Sequence, residues 1–534
     1  MMIAVLLTVL MSLASACYSS AYVSLSLFQA RQFRIGRIEF KGNERVRELI
    51  IRRMIPLQEG DIFNQVKWEE GLEQINRSGL FEPVSPGDAV LTLDERNGIV
   101  DIVLHLKERD HQRIDISAGG GSTGGASVGL DYANINLSGR ADRFFGRLRI
   151  GSRERSFAAG YSIQPLTKTP LVFEAAGFFH RLELVEAGLP ESEREPLYIE
   201  RTGGASLGLS FPLSRTSYPF SATTTARILY SFNYTYLTDS LAATSPGVRS
   251  IDADDIRIGS ITSMIEHNTL DRNFDPRNGL QLITAIEASG RALGGNINTL
   301  MPYFDLRAFI ATGPKGSSPA TGSREPHVLG FRFRASHVYA FGRRFRPDTL
   351  SAVDGVPVFK RFFTGGESEI RGFDVRSLSP LARIDRVLAI PGSEAILVSS
   401  ELRPVGADTK LFFNAEYRVP LVWRLSAAAF FDIGAAFNAR ALKRERFETG
   451  TRVDPGDIPA ILVTLLGPLT DGEDVLPDYR ISLGAELRFP IPVLNLPLRL
   501  IFAANPNAQR PPPGVVFIAP EKKLAFRFGF SRTL

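Results

Sequence analysis

Three patterns in this 534-residue chain have the residue types and spacing for chemistry. Gly119-Gly120-Gly121-Ser122-Thr123-Gly124-Gly125 offers backbone N–H groups of the kind that cradle phosphate. Gly-x-Ser-x-Gly, the spacing of a nucleophile elbow, is centred on Ser122, Ser127 and Ser206. Glu416 and Asp432 form a pair of carboxylates of the sort a glycosidase uses. A further segment, Arg361-Phe362-Phe363-Thr364-Gly365-Gly366-Glu367-Ser368-Glu369-Ile370-Arg371-Gly372-Phe373-Asp374, sets Arg371 between paired glycines and a tight Gly-Phe turn.

Context removes the catalytic readings. The glycine run lacks the Gly-Lys-Ser/Thr of a phosphate loop. No helical pattern follows any of the three serines, as a strand-to-helix elbow requires. Nothing supplies a sugar cleft around the carboxylates. The histidines at 105, 111, 180, 267, 327 and 337 show no His-Glu-x-x-His pattern. Cys17 is the single cysteine, which excludes a disulfide scaffold and a Cys-based zinc site. No enzyme, cofactor or metal is expected. What remains is ionic: an arginine on a loop, and acids on the strands that follow it. A partly buried bidentate Arg–carboxylate contact is specific enough to hold a long loop.

The elements that must position these groups are strands. Mean hydropathy is −0.01, and beyond the N-terminus no run of about 18 apolar residues occurs, which excludes a helical membrane protein. Net charge is +5, too weak to argue for nucleic acid, while 47 glycines and 37 phenylalanines fit neither a disordered chain nor a helical bundle. After Glu108 the helical period disappears, and segments of alternating apolar and polar residues replace it. Arg227 to Tyr236 sets Ile228, Tyr230, Phe232 and Tyr234 against Arg227, Ser231, Asn233 and Thr235. Charge on one parity and aromatics on the other suit a polar lumen inside lipid. Sixteen strands are expected, starting near Arg113, Val128, Phe144, Phe157, Leu171, Gly203, Thr223, Arg257, Leu280, Tyr303, Val328, Leu411, Leu425, Tyr479, Leu498 and Leu524. Leu184 to Glu200, Gly342 to Lys410 and Arg440 to Asp478 read as long outer loops, and Gly313 to Pro326 is long for an inner turn. Glu416 shares its face with Asn414 and Arg418. Asp432 shares its face with Ser426, Gly434 and Asn438, and also with Phe430.

The N-terminus sets the compartment. Met1 to Ala16 is apolar and ends in Ala14-Ser15-Ala16, a pattern that a signal peptidase accepts. Cys17 follows, so lipidation is weighed, although Ala14 stands where a lipobox prefers leucine. The basic n-region is missing, which leaves an uncleaved anchor or a different start as alternatives. Residues 17–32 read as a linker.

Residues 33–109 form a small module in which the period changes twice. Ile38 and Phe40 share a strand face, and Gly42-Asn43 turns the chain. Glu44 to Ile55 reads as a helix, with Val46, Leu49, Ile50 and Met54 at helical spacing, and Gln65 to Ser78 is a second helix, with Val66, Leu72 and Ile75 inward and Gly79 as C-cap. A second strand is expected around Pro83 to Val84, and a third over Ile99 to Lys107. This order, with Ile38-x-Phe40-x-Gly42-Asn43, Gly60-x-x-Phe63, Leu72-x-x-Ile75, Gly79-x-Phe81 and Leu106-x-Glu108, resembles a polypeptide-transport-associated (POTRA) domain.

The rest resembles the barrel of the BamA/TamA-type outer-membrane assembly superfamily, which includes the bacterial surface antigens. The resemblance rests on Phe363-x-Gly365-Gly366-x-x-x-x-Arg371-Gly372-Phe373, Asn414-x-Glu416-Tyr417-Arg418-x-Pro420 and Phe431-Asp432-x-Gly434, with Asp271-x-x-x-Asp275-Pro276-x-x-Gly279 as a further match. It implies a mainly β fold: a sixteen-stranded antiparallel transmembrane β-barrel over 110–534, preceded by one small α+β POTRA-like domain. It also implies that loop 343–410 enters the lumen, where Arg371 pairs with Glu416 and Asp432 as a lock or gate. The seam is expected between Arg113–Gly119 and the C-terminal strand carrying Phe526, Phe528 and Phe530. Implied partners are the outer-membrane bilayer, unfolded outer-membrane clients received by a periplasmic POTRA-like domain, and periplasmic or lipoprotein partners; no nucleic acid is expected. Two departures stand out. The chain has room for one POTRA-like domain, and Ser531 to Leu534 follow the aromatic strand end. A pore of the two-partner-secretion type, exporting a protein through the lumen, is the alternative function.

Overall fold

The computed structural model describes residues 33–121, 125–163, 171–185, 196–214, 222–238, 256–272, 275–312, 326–341, 356–389, 396–404, 406–421, 425–439, 461–467, 479–490, 497–509, 516–517 and 521–530. The expected signal peptide and linker, and residues 313–325 of the long connection, lie outside these residues.

The small domain comprises β1 (Arg34–Lys41), α1 (Glu48–Met54), α2 (Gln65–Ser78), β2 (Ala89–Asp94) and β3 (Ile99–His105). The sheet order is β1-β3-β2, with β1 parallel to β3 and β2 antiparallel to it. Alternate residues of β1 and β3 meet one face of each helix. Ile35, Ile38, Ile50, Ile51, Met54, Leu72, Ile75, Val100, Ile102 and Leu104 make the core. The motif residues occupy its corners. Gly42 turns the chain after β1 and Gly60 turns it again before α2, both at positive φ. The Asn43 side chain donates to Val46 O at 3.2 Å, and Phe63 packs against the core. The Asn64 side chain caps α2 at Lys67 N, and Gly79 ends the helix in the left-handed conformation. Phe81 is buried and bridges Glu108.

Three local expectations are corrected. Pro83 to Val84 is not a strand: both polar groups of the Val84 backbone are satisfied by the Asn76 side chain at 2.7 and 2.8 Å, so the edge strand starts at Ala89. Helix α1 starts at Glu48 because the Glu108 carboxylate holds Arg45 N and Val46 N outside the helix, at 2.9 and 2.7 Å. Leu49 and Val66 are exposed; Ile51 and Trp68 fill the core instead.

The barrel wall begins with β4 (Gln112–Gly121), β5 (Gly125–Asn134), β6 (Arg143–Gly151) and β7 (Glu154–Ile163). It continues through β8 (Val172–Val185), β9 (Pro196–Pro212), β10 (Thr224–Thr238) and β11 (Ile256–Asn268). Then come β12 (Gly279–Ser289), β13 (Thr299–Thr312) and β14 (His327–His337), which β15 (Tyr339–Ala340) prolongs. Here the chain leaves the wall to form β16 (Leu381–Ala389) and β17 (Ile396–Pro404), and rejoins it with β18 (Thr409–Pro420) and β19 (Ser426–Phe437). Between and after β21 (Arg480–Pro490) and β22 (Pro497–Ala504), the segments β20 (Ile461–Gly467) and β23 (Val516–Phe517) stand apart. β24 (Leu524–Phe530) closes on β4. With β15 counted as part of β14, sixteen antiparallel strands close the ring, and closure satisfies every inner ladder without an open edge.

Two loop expectations are corrected. Leu184 to Glu200 is not all loop, since β8 and β9 stay paired as far as Val185 and Pro196, past a register shift at Leu184. Gly342 to Lys410 and Arg440 to Asp478 contribute β16, β17 and β20 to a separate four-stranded sheet, ordered β20-β16-β17-β23. These are apolar, branched segments that pair with each other instead of with the wall.

The small domain docks on the β5–β6 connection. Ile135 and Ala141 join its core, and Arg47 N donates to Gly139 O at 3.0 Å. His111 is buried there, with Nε2 3.2 Å from Leu80 O. Burial works against the Asp142 carboxylate, but Ser138 N–H and the Tyr161 hydroxyl outweigh it and hold its pKa below the ordinary value. The barrel end nearest the small domain is called proximal below, and the opposite end distal.

Because Glu108 fixes the start of α1 through two charge-assisted bonds, Glu108→Ala is expected to cost about 1.5–3 kcal/mol of local stability. Hydrogen exchange on the whole protein should show faster exchange at Arg45 and Val46, while barrel amides stay unchanged; unaltered exchange at those two amides would refute the role.

Candidate functional site

Residues 356–380 turn inward from the distal end and fold against the wall. Bridges between Phe362 and Ala407 and between Thr364 and Leu378 pin the base of the loop. Gly365 and Gly366 carry φ values of +110° and +96°, so the paired glycines reverse the chain where L side chains are disfavoured. Beside them the Phe363 ring lies 3.9 Å under the Arg376 guanidinium. At the tip, Ile370, Phe373 and Leu378 bury one another. Gly372 sits at φ +94°, and a Cβ there would fall 2.6 Å from Asn505 Oδ1 and 2.7 Å from Ala503 Cβ. Only glycine lets the tip approach the wall this closely.

Arg371 is completely buried at that tip. Its Nε and Nη2 donate to the two oxygens of Asp432 at 2.8 and 2.7 Å, a bidentate pair, and its backbone N–H donates to Asp432 Oδ2 at 3.0 Å. Nη1 donates to Glu416 Oε2 and to Glu486 Oε2, both at 3.2 Å. The guanidinium carbon stands 3.9 Å from the Phe430 ring centroid. Burial opposes the charge, but Asp432, Glu416 and Glu486 outweigh it and hold the Arg371 pKa above the ordinary value. Arg371 therefore stays a cation.

The structure thus brings Arg371, Glu416 and Asp432 together and adds a larger set around them. Glu486 is a third acid; Arg488 contacts Glu416 at 2.8 Å and Glu486 at 2.6 Å, and Arg499 grips Glu486 at 2.6 Å through two nitrogens. Arg418 donates to Glu416 and reaches Asp275 Oδ1 at 3.0 Å and Pro276 O at 3.1 Å on the proximal β11–β12 connection. An unbroken ionic chain therefore runs from the loop tip to the proximal end. Asn414 Nδ2 bridges Asp432 and Glu369 O, and Lys410 holds Glu369 at 2.7 Å. Glu486 and Arg488 alternate with Ala485 and Leu487, a legible signal; Arg499 likewise stands between Leu498 and Leu500.

The last strand touches the same tip. Arg527 points inward, to Asp374 Oδ1 at 2.8 Å and Gly372 O at 3.2 Å. Phe526 and Phe528 are exposed on the outer face, and Phe530 pairs with Leu498 at the end of the ladder. Beside the clamp, on β13 and on β14, the wall neighbour of β18, Asp305 is bound by Arg332 and Arg334, a second ionic knot. Between the base of the loop and the wall from β8 to β13 lies a cavity of about 450 Å³, lined by Phe178, His180, Glu200, Asn233, Glu287 and Lys360 among others. The two ends of the loop differ: one is locked among carboxylates, the other borders open space.

The two domains have counterparts among known proteins. Residues 136–533 match the Omp85 superfamily domain, and residues 33–109 match the POTRA family described as surface antigen variable number repeat. The outer membrane protein assembly factor BamA of Neorickettsia risticii is 22% identical over 404 residues, covering 76% of this chain and 47% of that protein. BamA of Nitratidesulfovibrio vulgaris is 22% identical over 427 residues, covering 76% of this chain and 44% of that one. The chain spans about half the length of these curated relatives. Among solved structures, BamA from Haemophilus ducreyi lacking POTRA domains 1–3 superposes with a TM-score of 0.61 at 16% identity, covering 94% of this chain and 85% of that one. CdiB from Acinetobacter baumannii gives a TM-score of 0.51 at 15% identity, covering 93% and 73%.

Removing one member of a buried ionic set leaves its partners uncompensated, so Arg371→Ala is expected to cost about 3–5 kcal/mol. The measurement is the temperature at which the folded barrel loses its heat-modifiable migration, together with protease cleavage in 356–380. Arg371→Lys should recover less than half, because an ammonium cannot make the bidentate pair. An unchanged midpoint and intact loop in Arg371→Ala would remove the lock.

Proposed function

The chain belongs to the Omp85 superfamily, its barrel lies in the bacterial outer membrane with the POTRA domain in the periplasm, and on that footing we propose that it inserts outer-membrane β-barrel clients. In this reading the POTRA domain receives unfolded clients at its sheet edge, and the seam between β4 and β24 templates their strands. Arg371, Glu416 and Asp432 hold the loop that sets the state of the seam. The observation that carries the reading is the seam itself. Over the described residues β24 is the shortest wall strand, with seven residues, and it meets a β4 that ends in Gly119-Gly120-Gly121. Glycine adds no side-chain packing to a strand pair.

The physical need is plain. An unpaired strand edge in lipid leaves backbone polar groups unsatisfied, and a barrel that opens at a weak seam offers them partners by edge pairing. Arg527 of β24 contacts the locked loop tip, so loop and seam share a residue. At the other module, β2 is an edge strand whose Val90, Leu91 and Leu93 are exposed, which suits strand addition by an extended client. Periplasmic or lipoprotein partners belong to the same proposal.

Export of a partner through the lumen is the second reading, favoured by the fold likeness to CdiB. In that reading the loop, which lies inside the lumen, leaves a site where its arginine is bound by three carboxylates. Lateral insertion leaves that lock in place at the start of the cycle.

Depletion followed by outer-membrane proteomics is expected to lower many barrel proteins together. Loss of one exported protein alone would identify a secretion pore instead. Cysteines at Ile116 and Phe528 should each crosslink to nascent barrel clients, and their consistent failure to do so would count against templating at the seam.

A further inference from the structure

The outer face of the wall carries charge in one place. Following the register from strand to strand, the outward positions of β4, β5, β6 and β10 bear no Asp, Glu, Lys or Arg. The same holds, among the described residues, for β12 to β15, β18, β19, β21, β22 and β24. The exceptions are Arg155 on β7, Arg181 and Glu183 on β8, Arg201 on β9 and Arg257 on β11, all near the distal ends of their strands. Three of them are directly opposed: Arg155 pairs with Arg181, and Arg181 with Arg201. Like charges facing each other across a ladder destabilise it, so this row needs a counter-charge. Glu183, 3.4 Å from Arg181, is the single outward acid beside it.

The height of the row says what the counter-charge is. On β8 the outward face runs from Phe173 through Ala175, Gly177 and Phe179 to Arg181. Eight residues of a tilted strand climb roughly 20 Å, and the apolar band of such barrels is only about 25 Å tall. Arg181 therefore stands where the band ends, with Phe157 and Phe179 just beneath as an aromatic girdle. That level, on the extracellular side, is the headgroup layer of the outer leaflet, where an arginine on the lipid face costs little. We infer that Arg155, Arg181 and Arg201 form a binding site on the barrel exterior for the phosphate groups of an outer-leaflet lipid. Guanidinium forks match phosphate oxygens bidentately, and three in a row suit a headgroup carrying more than one phosphate.

The test uses the full-length protein in detergent and native mass spectrometry. The probes are a bisphosphorylated glucosamine-based glycolipid and its dephosphorylated counterpart. Wild type is expected to retain the phosphorylated lipid only. Replacing the three arginines together (Arg155→Gln, Arg181→Gln, Arg201→Gln) should lower retention about a hundredfold, at roughly fivefold per arginine. The matching triple lysine variant should keep most of it, and heat-modifiable migration verifies that each variant is folded. Equal retention of both lipids, or unchanged retention by the glutamine variant, overturns the site. So does an absence of retention by wild type. Displacement by millimolar inorganic phosphate would assign the arginines to free phosphate and overturn the lipid assignment.

Discussion

A guanidinium without solvent contact, held by three carboxylates, is the constraint on which the rest of the molecule depends. Taking that many charges out of water costs several kcal/mol per ion unless every donor and acceptor is matched. Here every nitrogen of Arg371 is matched: its backbone N–H, Nε, Nη1 and Nη2 all find carboxylate oxygens. The acids in turn rest on Arg418, Arg488 and Arg499. Such a set contributes position more than stability, since a loop displaced by one residue would strand several buried charges. It also explains why Gly372 follows the arginine: the tip lies so near Asn505 and Ala503 that no side chain fits.

The clamp gathers strands as well as charges. Glu416, Asp432, Glu486 and Arg499 come from β18, β19, β21 and β22, four consecutive wall strands, and Arg527 brings in β24. The tip of the loop is therefore fastened to the five wall strands that end at the seam. Towards β8 to β13 the base of the loop borders a cavity, where Lys360 pairs with Glu287 of β12, while the Asp305 knot on β13 and β14 adjoins the clamp at β18.

Much of this was legible in the sequence, and the misses share a cause. Period-two alternation located all sixteen wall strands, because a membrane wall imposes one parity on every residue it contains. The Arg371, Glu416 and Asp432 contact was legible through motif resemblance together with parity. Phe430 looked like a flaw in the polar face of β19; in the structure it is the ring on which the buried guanidinium rests. Glu486 and Arg499 were readable as alternating charges, but nothing in a linear pattern says that β21 and β22 converge on a loop that leaves the wall after β14 and rejoins it at β18. The distal sheet of β16, β17, β20 and β23 escaped for a related reason. Two of its three pairings, β16 with β20 and β17 with β23, span more than sixty residues, and loop segments carry no wall to fix their parity. In the small domain, Pro83 to Val84 misled because a side chain, Asn76, does the work of a neighbouring strand.

Near-zero mean hydropathy follows from the same division of faces. Inward positions concentrate ionic groups that must be paired because the loop excludes water from them, while outward positions are apolar over most of the circumference. The outer arginine row breaks that rule on β7 to β9, a quarter turn from the seam. Around the seam the outer face is uniformly apolar: Ile114 and Ile116 on β4, Phe502 on β22, and Leu524, Phe526 and Phe528 on β24. A barrel whose outer charges sit away from its shortest strand is free to strain there without dragging a charge through lipid. If clients insert at the seam as proposed, charge beside it would add a desolvation cost to each opening, so the apolar seam and the distant arginines answer one physical demand.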